Sequence, residues 1–259
     1  VTVKSFNLSG ISNEKDFAAL ALTMQCSGAK KDGALRFSGS AALNSQITLT
    51  GDSNTIIDLK GTGVTGIMRD DGTQGAFTGS LNGGNCTVAL SIGDVYGIKA
   101  GTTCTSEDAG CGQIYNHYYL GLFAKTGTNS ISNLTVSGNI NYGLSTQKEI
   151  WVGGVTAFQD AVTASYQNVT SDIAISFTGS VAADSKETLK AAHVGGFVGA
   201  ASGAPQLTFT GCKWTGSITD SATTASDCYL GGYIGSMSPD GGSIMLTNSS
   251  IGNETEKKA

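Results

Sequence analysis

Along most of this chain apolar and polar residues alternate with the two-residue period of a half-buried strand. The opening Val1-Thr2-Val3-Lys4-Ser5-Phe6 has this pattern, and Cys86-Thr87-Val88-Ala89-Leu90-Ser91-Ile92 places Cys86, Val88, Leu90 and Ile92 on one face. Further strands are predicted at Leu35 to Phe37, Gln46 to Leu49, Thr55 to Leu59 and Ala76 to Leu81, the last running into a turn at Asn82-Gly83-Gly84-Asn85. One stretch departs from the pattern. After Ser12 or Asn13, either of which can cap a helix, Phe17, Leu20, Ala21 and Met24 fall at i, i+3, i+4 and i+7. A lone amphipathic helix ahead of many strands is suited to cover the open end of a stack, whose unpaired backbone groups would otherwise recruit another chain.

Four apolar stretches in the second half carry a short glycine-containing signature: Leu120-Gly121-Leu122-Phe123, Val152-Gly153-Gly154-Val155, Val194-Gly195-Gly196-Phe197 and Leu230-Gly231-Gly232-Tyr233. Their spacing is irregular, as expected for a stacked framework carrying loops of variable length. Each is followed by a second recurring element centred on Asn133, Asn168, Gly211 or Asn248. Asn and Gly accept left-handed backbone angles at low cost, so the same bend is predicted at all four. The repeat therefore reads as strand, loop, bend, strand. Stacked units of this kind predict an all-β, single-stranded, right-handed parallel β-helix with one N-terminal capping helix, and an antiparallel sandwich is the competing architecture. One domain is expected over 1–259: N-terminal strand and helix (1–34), first coils (35–92), a Cys-bearing inserted loop (93–116), repeat coils (117–252) and a polar tail (253–259).

Composition supports strands and turns over helices: Gly numbers 37, charged residues make up 14% of 259 residues, and Pro occurs twice. A net charge of −5 and only two arginines, Arg36 and Arg69, argue against a nucleic-acid partner, which needs clustered basic side chains. No stretch approaches the ~18 apolar residues that span a bilayer, and no charged segment followed by an apolar one opens the chain. Membrane insertion is not expected.

The six cysteines include no Cys-x-x-Cys pair, and His117 and His193 are the only histidines, so a zinc site is not expected. The carboxylates are scattered, which leaves room for one structural cation at most, and no cofactor is expected. In a chain of this texture an even cysteine count reads as disulfides, for which the favoured pairing is Cys104 with Cys111 around a polar loop and Cys212 with Cys228 across one repeat. Cys26 with Cys86 follows by remainder. Buried free thiols acting as small hydrophobes are the alternative.

Phe77-Thr78-Gly79-Ser80-Leu81-Asn82-Gly83-Gly84, Leu120-Gly121-Leu122-Phe123 with Ile131-Ser132-Asn133-Leu134, and Val194-Gly195-Gly196-Phe197-Val198-Gly199 resemble the GLUG-type glycine-rich repeat of bacterial extracellular, adhesin-like proteins. The resemblance extends over roughly 11–252 and implies a right-handed β-helix displayed at a cell surface, with no family-wide catalytic residues. Two features depart from the family pattern. Val155-Thr156-Ala157 stands where an aromatic residue and a further Gly are usual, and the cysteines are atypical.

Candidate chemistry is sparse. Asp70-Asp71-Gly72 beside Arg69 is the best acidic pair for a polysaccharide-cleaving site, Glu107-Asp108 is the other small acidic cluster toward a calcium-dependent lyase, and Pro239-Asp240-Gly241-Gly242 reads as a turn more than a calcium loop. The aromatic group Tyr115, His117, Tyr118 and Tyr119 is the predicted binding site, because aromatic faces flanked by polar groups stack on sugars or anchor proteins. The expected function is non-enzymatic: a secreted or cell-surface module for adhesion or extracellular structure. Its expected partner is a glycan or protein of a host or neighbouring cell, or copies of itself. The alternatives are a filament subunit assembling through its N-terminal strand and a carbohydrate-active β-helix enzyme.

Overall fold

The computed structural model describes residues 5–13, 16–17, 20, 38–49, 77–92, 103–104, 117–142, 145–146, 149–160, 163–177, 191–220, 228–238 and 241–252. In chain order the strands are β1 (Ser5–Ile11), β2 (Ser38–Leu43), β3 (Ile47–Leu49), β4 (Phe77–Ile92), β5 (Thr103–Cys104), β6 (His117–Leu120), β7 (Phe123–Tyr142), β8 (Ser145–Thr146), β9 (Glu149–Gly153) and β10 (Thr156–Asp160). They continue as β11 (Thr163–Phe177), β12 (Ala192–Gly195), β13 (Val198–Ser202), β14 (Gln206–Thr210), β15 (Lys213–Trp214), β16 (Ser217–Asp220), β17 (Cys228–Gly231), β18 (Ile234–Met237), β19 (Ser243–Thr247) and β20 (Ser250–Ile251). The protein is all-β. Its larger sheet has 14 strands and runs β1-β2-β4-β7-β10-β13-β18, while β17-β12-β9-β6 form a sheet of four and β5-β8 a pair.

Among the described residues every strand pair is parallel, which removes the antiparallel sandwich. Register is set by the alternation in the sequence. In the pairing of β7 with β11, Ile131 meets Tyr166, Leu134 meets Val169 and Ile140 meets Ile175, and all six are buried. A slip of one residue would turn each of these side chains toward solvent, so the apolar pattern fixes the pairing. Aromatic rings also stack at about the strand spacing: Tyr166 on its register partner Phe209 at 4.9 Å, Phe197 on Tyr233 at 4.8 Å between two corners, and Phe77 on Phe123 at 4.9 Å, although Phe77 is paired in register with Thr126. Each stacked pair contributes about 0.5–1.5 kcal/mol beyond the area it buries.

The predicted bends are present. Asn133, Asn168, Gly211 and Asn248 have φ of 53°, 52°, 64° and 51°, the left-handed region. The strands are longer than the sequence pattern suggested, because two neighbours bending at the same place keep their ladder through the bend; β7 and β11 therefore run 20 and 15 residues. The expected turn at Asn82 to Asn85 is a bulge inside β4, where the register against β7 shifts and Gly84 and Asn85 take positive φ.

The predicted helix begins as read. Asn13 Oδ1 accepts the Asp16 backbone N–H at 3.0 Å, the Phe17 N–H bonds the Asn13 carbonyl, and Asp16 reaches back to the Ser12 N–H at 3.0 Å. Phe17 and Leu20 are wholly buried, with Phe17 at 6.2 Å from the ring of Phe123; Ala21 and Met24 lie outside the described residues. The 93–116 segment is not loop throughout, since it contributes β5, which pairs with β8.

Under the larger sheet lies a buried polar cluster. Gln159 Oε1 accepts from Thr126 Oγ1 at 2.7 Å and Asn129 Nδ2 at 3.0 Å, its Nε2 donates to the Gly127 carbonyl at 2.6 Å, and Tyr166 Oη contacts both Thr156 Oγ1 and Gln159 Oε1. Burial pushes the Tyr166 hydroxyl up to about 12, so it stays protonated in this network.

Candidate functional site

The glycine signatures make a corner. In three of them a Cβ on the first glycine would fall on a carbonyl oxygen three residues on: Gly153 on Thr156, Gly195 on Val198 and Gly231 on Ile234. A Cβ on Gly199 would lie 2.7 Å from the Val152 nitrogen, and one on Gly235 would lie 2.6 Å from that of Val194. Glycine here permits β9 and β12 to approach the next strands of the larger sheet at backbone contact. In the second repeat the place of Gly199 is taken by Ala157, which is fully buried against Trp151 and Ala200.

Because the corner is so tight, side chains pointing away from the main core on its two walls meet one another. On the smaller sheet the register aligns Tyr119, Trp151, His193 and Tyr229 in one column. On the larger sheet it aligns Lys125, Phe158, Ala200 and Ser236. Trp151 packs on Phe158 at 4.6 Å between ring centres, and Lys125 Nζ lies 5.7 Å over the Phe158 ring while pairing with Asp160 at 2.8 Å. His193 stacks on Tyr229 at 4.9 Å with planes 8° apart, and its Nδ1 is hydrogen-bonded to Ser236 Oγ at 2.6 Å. The column opens toward solvent along its length: Trp151 is 8% exposed and Tyr229 is 45% exposed. It ends at the half-exposed ring of Tyr229, stacked on His193.

Of the predicted binding residues, Tyr115 lies outside the described residues. His117, Tyr118 and Tyr119 form β6 and do not share one column: Tyr119 aligns with Trp151, whereas Tyr118 aligns with Ile150, Ala192 and Cys228, a column whose middle two members are in the core. Trp151, His193 and Tyr229 were missed as a set. Their signal was in the sequence all along, since each of the four signatures has an aromatic or imidazole residue two places before its first glycine.

The expected Cys212–Cys228 bridge is not formed. Cys86, Cys212 and Cys228 are free thiols, with Cys212 Sγ at 3.3 Å from the Tyr166 carbonyl inside the core and Cys228 set beside Asp220. The two sulfurs are held by different neighbours. Burial raises both thiols, Cys228 to about 11 with the Asp220 charge adding to the effect. Cys26 and Cys111 and the side chain of Cys104 lie outside the described residues, as do Asp70-Asp71, Glu107-Asp108 and Pro239-Asp240. Among the described residues no three of His, Cys, Asp and Glu are grouped to hold a metal ion, and no helix is long and apolar enough to cross a membrane.

No protein-family model, curated protein or solved structure matches this chain.

Proposed function

We propose that this chain is a non-enzymatic, right-handed parallel β-helix, exposed at a cell surface or secreted, that serves adhesion by presenting its aromatic column to a glycan. Parallel strands that pair in chain order, bend at shared asparagines and turn at shared glycines favour the β-helix reading. The likeness to GLUG-type repeats of surface adhesins favours the setting.

The observation that carries the ligand reading is the column Trp151, His193 and Tyr229. Its side chains lie outside the main core, with Trp151 and His193 tilted at 6.3 Å between ring centres and His193 stacked on Tyr229 at 4.9 Å, and the column ends with Tyr229 half exposed next to the hydrogen-bonded His193 and Ser236. A pyranose offers an apolar C–H face and a rim of hydroxyls, which fits a flat ring with polar neighbours better than a deep pocket does.

A glycan array with the purified full chain, followed by titration of the best-bound sugar, tests this. Binding by the parent protein and a loss of tenfold or more in Tyr229→Ala, with an unchanged melting temperature, is the expected result. An array without hits, or an affinity untouched by Tyr229→Ala, rejects the glycan reading.

A further inference from the structure

The buried cluster around Gln159 is independent of the aromatic column, and its hydrogen bonds do not close. Its origin is local. Thr126 of β7 pairs with Phe77 of β4 and Asn129 pairs with Gly79, so β7 carries an extra residue at this point. Gly127 has no register partner among the described residues, and its carbonyl is met by side chains instead: Asn129 Nδ2 at 2.8 Å and Gln159 Nε2 at 2.6 Å. The two amides therefore lie side by side, both donating to one oxygen.

The hydroxyl protons are all committed. Thr126 and Tyr166 donate to Gln159 Oε1 at 2.7 and 3.4 Å, and with the tyrosine proton directed there, Thr156 is the donor in its 3.2 Å bond to Tyr166. Asn129 also spends both amide hydrogens, on Gly127 and, at 3.0 Å, on Gln159 Oε1. Two positions remain. Asn129 is 5% exposed, and its Oδ1 is sealed from solvent with no hydrogen-bond partner among the described residues. Gln159, wholly buried, has a second Nε2 hydrogen beyond the one given to Gly127. Rotating the Asn129 amide does not cure this, because its oxygen would then face the Gly127 carbonyl and Gln159 Oε1, which are both acceptors.

We propose that Asn129 Oδ1 and Gln159 Nε2 hold one water molecule sealed inside the coil. Water matches what is left over: it accepts from the Gln159 N–H and donates to Asn129 Oδ1, and the hydroxyl oxygens of the cluster have lone pairs for its second hydrogen. Space comes from the register, since the strand neighbours of Asn129 are Gly79, which has no side chain, and Ala164, which has only a methyl. A metal cation suits the Asn129 oxygen but is opposed by the Gln159 N–H, and no carboxylate takes part in these bonds to balance its charge. Asp160, next along β10, is paired with Lys125 at 2.8 Å. Because Asn129 and Gln159 are buried, the water exchanges only when this bend of the coil opens, so it stays bound far longer than surface water.

The test is a crystal structure of the full chain at a resolution that shows ordered water, with a second crystal soaked in rubidium chloride. In solution, magnetic relaxation dispersion of the solvent water counts long-lived bound waters in the parent and in Asn129→Leu, which removes the orphaned oxygen at similar side-chain size. The expected result is a water within hydrogen-bonding distance of Asn129 Oδ1 and Gln159 Nε2, no rubidium there, and the loss of one long-lived water in the variant. A dry Asn129 Oδ1 overturns the proposal, as does an oxygen that meets a protein donor or a rubidium peak in place of water. An unchanged count in folded Asn129→Leu also overturns it, and if that variant does not fold the crystals decide alone.

Discussion

Asn168 donates its side-chain Nδ2 to the Oδ1 of Asn133, 3.2 Å away in the neighbouring strand, and Asn133 makes the same bond to Asn82, also at 3.2 Å. Backbone and side chain therefore ask for asparagine at Asn168 for separate reasons. Alanine would hold φ near 52° at a cost of about 1–2 kcal/mol and lose a hydrogen bond worth about 0.5–1.5 kcal/mol. Glycine forfeits only the second. Chemical denaturation should rank the proteins parent, Asn168→Gly, Asn168→Ala in falling stability; an alanine variant as stable as the glycine one would show that the bend relaxes.

Two glycine-to-alanine changes separate crowding from backbone strain. Gly195 has an ordinary backbone conformation, but its Cβ would fall on the Val198 carbonyl oxygen, so the corner must open. Gly241 has φ of 88° with nothing within 4 Å. Gly241→Ala should cost about 1–2 kcal/mol, and Gly195→Ala more than about 3 kcal/mol or loss of soluble folded protein. Equal losses in the two variants would mean the corner is not close-packed.

The thiols offer a chemical readout. With Cys228 pushed up to about 11 from an ordinary 9.0, its thiolate fraction at pH 8 is about 100-fold below that of a free cysteine, and alkylation should slow by a similar factor. Peptide mass spectrometry after a short iodoacetamide pulse should find Cys212 and Cys228 unmodified in native protein. After unfolding without reductant both should be fully modified. A Cys228 still blocked in unfolded, unreduced protein would restore the disulfide.

Asp16 gives the start of the chain a pH dependence. Hydrogen bonds from the Ser12 backbone and hydroxyl hold its carboxyl below the usual aspartate value. The folded state thus favours the charged form. Its contribution is fully present above the unfolded value near ~3.9 and is lost as pH falls through the lowered folded value. The melting temperature of Asp16→Asn should be below that of the parent at pH 7, and the gap should close as the solution is acidified into the aspartate range. A gap that persists in acid would assign the effect to packing.

What could be read from the sequence is what local chemistry decides. The cap at Asn13, the left-handed bends at Asn133, Asn168, Gly211 and Asn248, and the alternation of β4 all follow from residues within one turn or one strand. The column through Trp151, His193 and Tyr229 depends on which distant strands pair, and in what register. So does the contact of His193 with Ser236, which no local spacing announces. The pairing of Cys212 with Cys228 failed for the same reason: proximity along a repeat says nothing about the direction of a side chain, and Cys212 points into the core. The aromatic at two places before each glycine was available to inspection, but its meaning required knowing that the corner turns those positions outward.

The hydrogen-bonded cluster around Gln159 has a bearing on how such a chain avoids mistakes. Parallel strands of similar composition can be mispaired by skipping a neighbour, and apolar columns alone penalise that error weakly because one Val, Leu or Ile substitutes tolerably for another. Gln159 is different. It needs Thr126, Asn129 and the Gly127 carbonyl from one particular earlier segment and the Tyr166 hydroxyl from its own, and any other assembly leaves several buried polar groups without partners. The cluster works as an address label: it identifies which strand belongs beside which, in a structure whose other contacts are nearly interchangeable.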